Sequence, residues 1–268
     1  MLTTRILTAL IALPLFLAAL FYLPKAGWAL FLMPWLLTGA WEWGGLAKWP
    51  LVSRVIYLFV VAAMSVVLWI LIVAPAQVHT GMVLHSIALV FWLAVAPLWL
   101  ARGWHVRHPL PLALTGIILL LPLWLALVQL QAEPRLLLLL MIIVWISDTA
   151  AFLCGKRWGQ HKLAPLISPG KTWEGVAGAI AAVTLYHALL PAGYAAGHAV
   201  LTGAVGLVVF WALTVLGMEG DLFESWIKRT AGAKDSGTML PGHGGILDRV
   251  DALTSTMPLA ALLLAWFA

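Results

Sequence analysis

Nine stretches of this chain, at about 6–23, 27–43, 52–75, 82–100, 111–131, 135–154, 172–190, 197–218 and 250–267, are apolar almost from end to end. A helix that crosses a bilayer needs roughly 20 such residues, so each stretch reads as one span. Composition leaves little alternative: of 268 residues, 63% are apolar and 9% charged, whereas soluble domains carry about 25% charged residues. Too few charges exist to cover a water-facing surface. The expected fold is all-α, a polytopic integral membrane protein of about nine transmembrane helices in a single membrane domain. Pro14 and Pro34 fall inside the first two spans, where a tilt or kink is expected. Arg5 before an apolar run resembles the start of a secretory leader. No small-residue cleavage site follows, and a retained first span is expected.

The basic residues orient the bundle. With the N-terminus in the cytoplasm, the inner segments hold Arg5, Lys48, Arg54, Arg102, Arg107, Lys156, Arg157, Lys162, Lys171, Lys228, Arg229, Lys234 and Arg249. The outer segments hold Lys25 and Arg135. That places 13 of the 15 Lys and Arg residues on one side, as the positive-inside rule demands. The net charge of +5 then reads as loops beside anionic lipid, not as a nucleic-acid surface. Tryptophans 28, 41, 43, 49 and 104 fall near span ends and fit an interfacial belt. Cys154, the single cysteine, has no intrachain partner for a disulfide and reads as a packing residue.

The acids are unevenly spread. Glu42 and Glu133 stand alone near span ends. The other eight of the ten, Asp148, Glu174, Glu219, Asp221, Glu224, Asp235, Asp248 and Asp251, lie between positions 148 and 251. Eight basic residues, Lys156 through Arg249, share that region. Opposite charges crowded at one edge of a membrane domain suggest a site for a metal and a polyanion; a solvated loop surface is the plainer alternative. Read as a helix, 221–229 puts Asp221, Glu224, Ser225, Lys228 and Arg229 on one face and Leu222, Phe223, Trp226 and Ile227 on the other. Such a helix either lies in the interface or lines a cleft with its charges. Asp248 and Asp251 share a face at i, i+3 at the start of the last helix. There a helix dipole also favours acids. Asp148, near the end of the sixth span, is a further candidate, because an ionisable residue there faces a polar cavity or a partner.

Glycines at 237, 242, 244 and 245 let backbone amides approach phosphate, and His243 stands among them. Ser168 and Pro169 suit an N-cap and first helical position for the seventh span, which would put Lys171 at a helix N-terminus, a good place to meet phosphate. Pro165 stands where a P-loop requires its first glycine, so that motif is excluded. No HExxH or GxSxG occurs, and zinc proteolysis and serine hydrolysis find no support.

One stretch is specific. Ser225-Trp226-Ile227-Lys228-Arg229, then Lys234-Asp235-Ser236-Gly237, then Leu240-Pro241-Gly242-His243-Gly244-Gly245-Ile246-Leu247-Asp248-Arg249-Val250-Asp251 resembles the signature of phosphatidate cytidylyltransferases without departure over 27 positions. Asp148-Thr149-Ala150-Ala151-Phe152, Ser168-Pro169-Gly170-Lys171-Thr172-Trp173-Glu174-Gly175 and Gly220-Asp221-Leu222-Phe223-Glu224 resemble the same family. The resemblance covers about 148–251; before 140 only hydropathy and layout are similar. It implies that CTP and phosphatidate give CDP-diacylglycerol and pyrophosphate at the cytoplasmic face of a bacterial inner membrane. It further implies that Asp221 and Asp248 hold Mg²⁺, that a monovalent cation such as K⁺ lies beside it, and that the chain forms a homodimer.

On that reading Glu224 or Asp251 supports the metal. Lys228, Arg229 and Lys234 meet phosphates, and Asp235 orients Lys234 or a metal-bound water. Ser168, Lys171, His243, Gly244, Gly245, Arg249 and Asp148 complete the substrate contacts. Residues 1–134 then serve as scaffold and 135–268 carry the catalysis. Two other classes compete: a transporter with an acidic ion site, and another CDP-lipid enzyme. A CDP-alcohol phosphatidyltransferase needs a DGxxAR pattern that is absent here.

Overall fold

The computed structural model describes residues 2–73, 78–190, 197–239 and 244–267. These form helices α1 (Leu2–Tyr22), α2 (Lys25–Leu46), α3 (Leu51–Leu68, prolonged by a π-helical turn, Trp69–Val73), α4 (Val78–Val90) and α5 (Ala96–Arg102), joined by a π-helical turn at Phe91–Val95. There follow α6 (Pro109–Leu130), α7 (Pro134–Trp158), a hairpin of β1 (Lys162–Ala164) and β2 (Ser168–Thr172), then α8 (Trp173–Leu189), α9 (Gly203–Ala231) and α10 (Leu247–Trp266). With α4 and α5 taken as one interrupted rod, the described residues form nine rods where nine apolar stretches were read.

The protein is an all-α membrane protein. Among the described residues, five segments are long and apolar enough to cross a bilayer: Leu51–Leu71, Gly81–Arg102, Pro109–Leu130, Pro134–Trp158 and Gly203–Ala231. On α3, Val52, Ile56, Phe59, Val67 and Ile70 are each more than half exposed. A stripe of that kind is tolerable against lipid and not against water.

Contacts between distant segments support the alternation. At one end, Gln131 donates to the carbonyls of Leu20 and Leu23, Lys25 to that of Val73, and His198 pairs with Glu133. At the other end, Arg54 donates to the Trp41 carbonyl, Trp226 to that of Trp104, and Lys171 pairs with Asp221. Each of these contacts joins segments that alternation assigns to the same side.

The core is centred on α6, whose Leu121, Leu125, Ala126 and Val128 are fully enclosed, and on α10, buried from Ala252 to Leu262. Two tryptophans assigned to the belt are in this core. The indole of Trp28 donates to the Leu127 carbonyl at 3.0 Å and that of Trp43 to the Leu112 carbonyl at 2.8 Å. A buried indole needs an acceptor, and α6 supplies both. Trp104 is 37% exposed and fits the belt.

The structure corrects two boundaries. The eighth span and the amphipathic segment after it are one helix of 29 residues, closed by Gly232 at φ 72°. The seventh does not start at Ser168 and Pro169. Those residues belong to β2, and Thr172 is the cap, its hydroxyl accepting the amide of Gly175 at 3.1 Å. A threonine hydroxyl serves a helix start as well as serine does, and the hairpin uses the preceding residues.

The most extensive helix contact is between α7 and α8, where Cys154 lies against Gly178. A side-chain carbon at 178 would fall 2.4 Å from the Cys154 sulfur. We expect Gly178→Val to destabilise the bundle by about 1–3 kcal/mol through overpacking, read as a lowered thermal midpoint in detergent. Gly170→Ala, where the added carbon meets nothing within 4 Å, is the matched control and should leave the midpoint unchanged.

Candidate active site

Helix α9 brings Asp221, Glu224 and Lys228 to one face, as their spacing predicts. The opposite face is anchored by Phe223, whose ring meets those of Phe91, Trp92 and Trp99 edge-on at 5.4, 5.7 and 5.4 Å. The polar face is not in open water. Glu224 is 6% and Lys228 9% exposed, because α10 packs against it. Gly220 permits that approach: a carbon added there would lie 2.6 Å from the carbonyl oxygen of Asp251.

Lys228 joins the two helices. Its Nζ lies 2.8 Å from Glu224 Oε2 and 2.5 Å from Asp248 Oδ1. Asp248 is in the first turn of α10, where its Oδ2 accepts the amide of Gly245 at 2.8 Å and the amide of Ser236 at 2.9 Å. Asp221 is paired differently. Its Oδ2 lies 2.7 Å from Lys171 Nζ at the end of β2, and its Oδ1 accepts the Ser225 hydroxyl at 3.3 Å. Lys171 also donates to the Met218 carbonyl at 3.1 Å. It therefore faces α9 from a strand, and not from the helix N-terminus expected of it.

Asp148 on α7 is within electrostatic reach of Asp221 and Lys171. Asp251 feels the charges of Asp221, Glu224 and Asp148, and Glu224 those of Asp248 and Asp221. Five carboxylates from three helices thus gather around two lysines, leaving an excess of negative charge. Glu224 Oε1 is buried and has no hydrogen-bond partner among the described residues. An orphaned buried carboxylate oxygen in an over-acidic cluster suits a cation. Among the described residues, no three His, Cys, Asp or Glu side chains converge tightly enough to hold an ion by themselves. The four acids named as metal ligands therefore do not form a closed shell. Mg²⁺ needs none, since it takes one or two carboxylates and fills its octahedron with water and substrate phosphate.

Other candidates lie at the edge of this cluster or beyond it. Arg229 is exposed and donates to the Ala233 carbonyl at 3.4 Å, closing its own helix. Lys234 and Asp235 are exposed on the loop that follows. Ser168 is half-buried in β2. Arg249 is, among the described residues, the one charged side chain lining an apolar cavity of about 350 Å³ bounded by α1, α2, α6, α7 and α10. Gly244 takes a left-handed φ of 82°. Gly245 spends its amide on Asp248, so the helix start is already satisfied by a carboxylate of the chain. His243 and Gly242 lie outside the described residues. Glu174, counted with the acidic group, is engaged by His161, whose Nδ1 lies 2.6 Å away.

Two positions joined to the cluster escaped the sequence reading. Glu42 is not alone: it is 4% exposed and accepts the amides of Ile246 and Leu247 at 3.0 and 2.9 Å. Ser236 bridges to it, its hydroxyl 2.9 Å from Glu42 Oε2. The signal was a carboxylate inside an apolar segment, the criterion that selected Asp148.

The fold and this cluster define a membrane-embedded protein that gathers buried acids and lysines at one end of its bundle. The profile of the cytidylyltransferase family matches residues 3–267, and the chain belongs to that family. It is 41% identical to a phosphatidate cytidylyltransferase of Pseudomonas aeruginosa over 275 aligned positions, covering 98% of this chain and 97% of that protein. The Haemophilus influenzae phosphatidate cytidylyltransferase is 33% identical, with 96% of each chain covered. A Brucella melitensis protein of the same name is 48% identical over 131 positions, about half of each chain.

Removing the shared lysine would leave two carboxylates buried without a counterion. Breaking a buried pair from one side costs about 3–5 kcal/mol. We expect Lys228→Met to lower the thermal midpoint in detergent strongly, and Lys228→Met with Glu224→Gln to recover part of the loss.

Proposed function

We propose that this chain transfers a cytidylyl group from CTP to phosphatidate, giving CDP-diacylglycerol and pyrophosphate. The observation that carries the reading is the acidic cluster on α7, α9 and α10, with lysines on Asp221 and Asp248, in a chain that aligns end to end with phosphatidate cytidylyltransferases. A phosphate oxygen of phosphatidate attacks the α-phosphorus of CTP and pyrophosphate leaves. The second phosphate pKa is about 6, so the nucleophile is ionised near neutrality and needs no base from the protein.

Both reactants are anions, and their repulsion is the first barrier. Asp221 and Asp248, with Glu224 or Asp251 in support, would hold Mg²⁺, which would supply charge neutralisation between the two phosphate groups there. Lys171 and Lys228 rest on the same carboxylates as internal counterions and turn to the phosphates when these arrive. Arg229 and Lys234 meet the nucleotide phosphates from the aqueous side, with Asp235 orienting Lys234. Ser168 and Gly244 border the same entrance, and Asp148 holds Lys171 in range. Arg249 faces the lipid headgroup. The homodimer and the monovalent cation rest on the resemblance alone. The spans before residue 135 act as scaffold. The site opens to the cytoplasm of a bacterial inner membrane, because CTP comes from water and 13 of 15 basic residues then lie inside.

The test is pyrophosphate release by purified protein in detergent. Release should require both CTP and phosphatidate; a transporter would release none. Asp221→Ala and Asp248→Ala should each reduce turnover to background while retaining the fold, and near-normal turnover in either would refute the metal assignment.

A further inference from the structure

Glu42 lies outside the cluster assigned to catalysis, on α2, some 200 positions from its partners in sequence. It is buried, yet its charge is fully engaged. Oε1 accepts the Ile246 amide at 3.0 Å, and Oε2 accepts the Leu247 amide at 2.9 Å and the Ser236 hydroxyl at 2.9 Å. The first two donors are unsatisfied amides at the start of α10, and Glu42 caps that helix from a distant element. The third is a contact with the loop that leads from α9 back to α10.

Ser236 completes the connection. Its backbone amide donates to Asp248 Oδ2 at 2.9 Å while its hydroxyl reaches both Glu42, at 2.9 Å, and Asp248 Oδ2, at 3.0 Å. A hydroxyl has one proton to give. With that proton on Glu42, the amide still serves Asp248, and both carboxylates are satisfied by one residue. The path continues from Asp248 to Lys228 and on to Glu224. The adjoining glycines are shaped to this carboxylate: a carbon added at Gly237 would fall 2.4 Å from Glu42 Oε1, and one at Gly245 would fall 2.5 Å from Oε2. These two glycines therefore make room for Glu42.

We propose that Glu42 is a positioning residue for the transfer reaction: it fixes Ser236 and the first turn of α10 so that Asp248 presents its carboxylate at the site. The inference rests on the reading of Asp248 given above. Glu42 makes no contact with the lysines or carboxylates of the cluster in the bonds described, so it acts only through Ser236, Ile246 and Leu247.

Glu42→Gln, Ser236→Ala and the double variant, purified in detergent beside the parent protein, separate the possibilities. Losing a residue that orients a metal-bearing side chain costs about 10- to 100-fold. Glu42→Gln should lose that much in kcat, with the KM for CTP and for phosphatidate little changed. Ser236→Ala removes no charge and should keep the parent's thermal midpoint while also losing kcat. The double variant should be no worse than the poorer single one, because both act through one path. Glu42→Asp should recover less than the parent, since it is shorter by a methylene. Full kcat in folded Glu42→Gln or in Ser236→Ala would overturn the proposal. So would losses that multiply in the double variant, or a lowered midpoint with kcat per folded molecule intact. An inactive parent protein would instead overturn the proposed function.

Discussion

A carboxylate withdrawn from water is tolerated only when donors or cations replace the water it lost. That demand governs the acidic end of this bundle. Asp248 draws on Lys228 from α9 and on amides from the connecting loop, Asp221 draws on Lys171 from the hairpin, and Glu42 draws on the start of α10. Each acid thereby ties together elements that apolar packing alone would leave free to slide. Leucine against leucine specifies neither depth nor rotation in a bilayer, because lipid is equally apolar. Directed bonds to buried charges specify both.

The aromatic side of α9 supplies the complementary constraint. Phe223 is held in a nest of rings from α5 and the π-helical turn before it, and Trp226 donates to the Trp104 carbonyl at 3.0 Å. Helix α9 is therefore clamped on its apolar face by the first half of the chain and on its charged face by α10. The family profile, which runs from residue 3 to 267, is in keeping with a site that needs both halves, although the legible motif begins only near 148.

What could be read from the sequence follows from how local each signal is. Span positions need only a run of apolar residues, and the described residues form nine rods where nine runs were read. The face shared by Asp221, Glu224 and Lys228 needs only helical spacing. Which rod is central was not legible: α6 is apolar on every side, and a lipid-facing helix would look the same. The continuity of α9 was hidden by the charges that begin at Glu219, where the apolar run stops although the helix does not. The hairpin was hidden by Ser168 and Pro169, whose capping chemistry is real elsewhere. Glu42 was hidden by distance, since its donors lie far along the chain and nothing beside it in sequence names them.

At about 1.5 Å of rise per residue, the 29 residues of α9 measure roughly 43 Å, against about 30 Å for the hydrocarbon layer. The excess is more than two turns. If its apolar beginning is flush with one boundary, its last stretch, with Glu224 and Lys228, stands at the depth of the lipid headgroups on the other. The helix is then a ruler. On the function proposed above, it sets the reacting phosphates at the level where a phospholipid already carries its own, and a lipid substrate can slide in sideways without its tails ever leaving the oil.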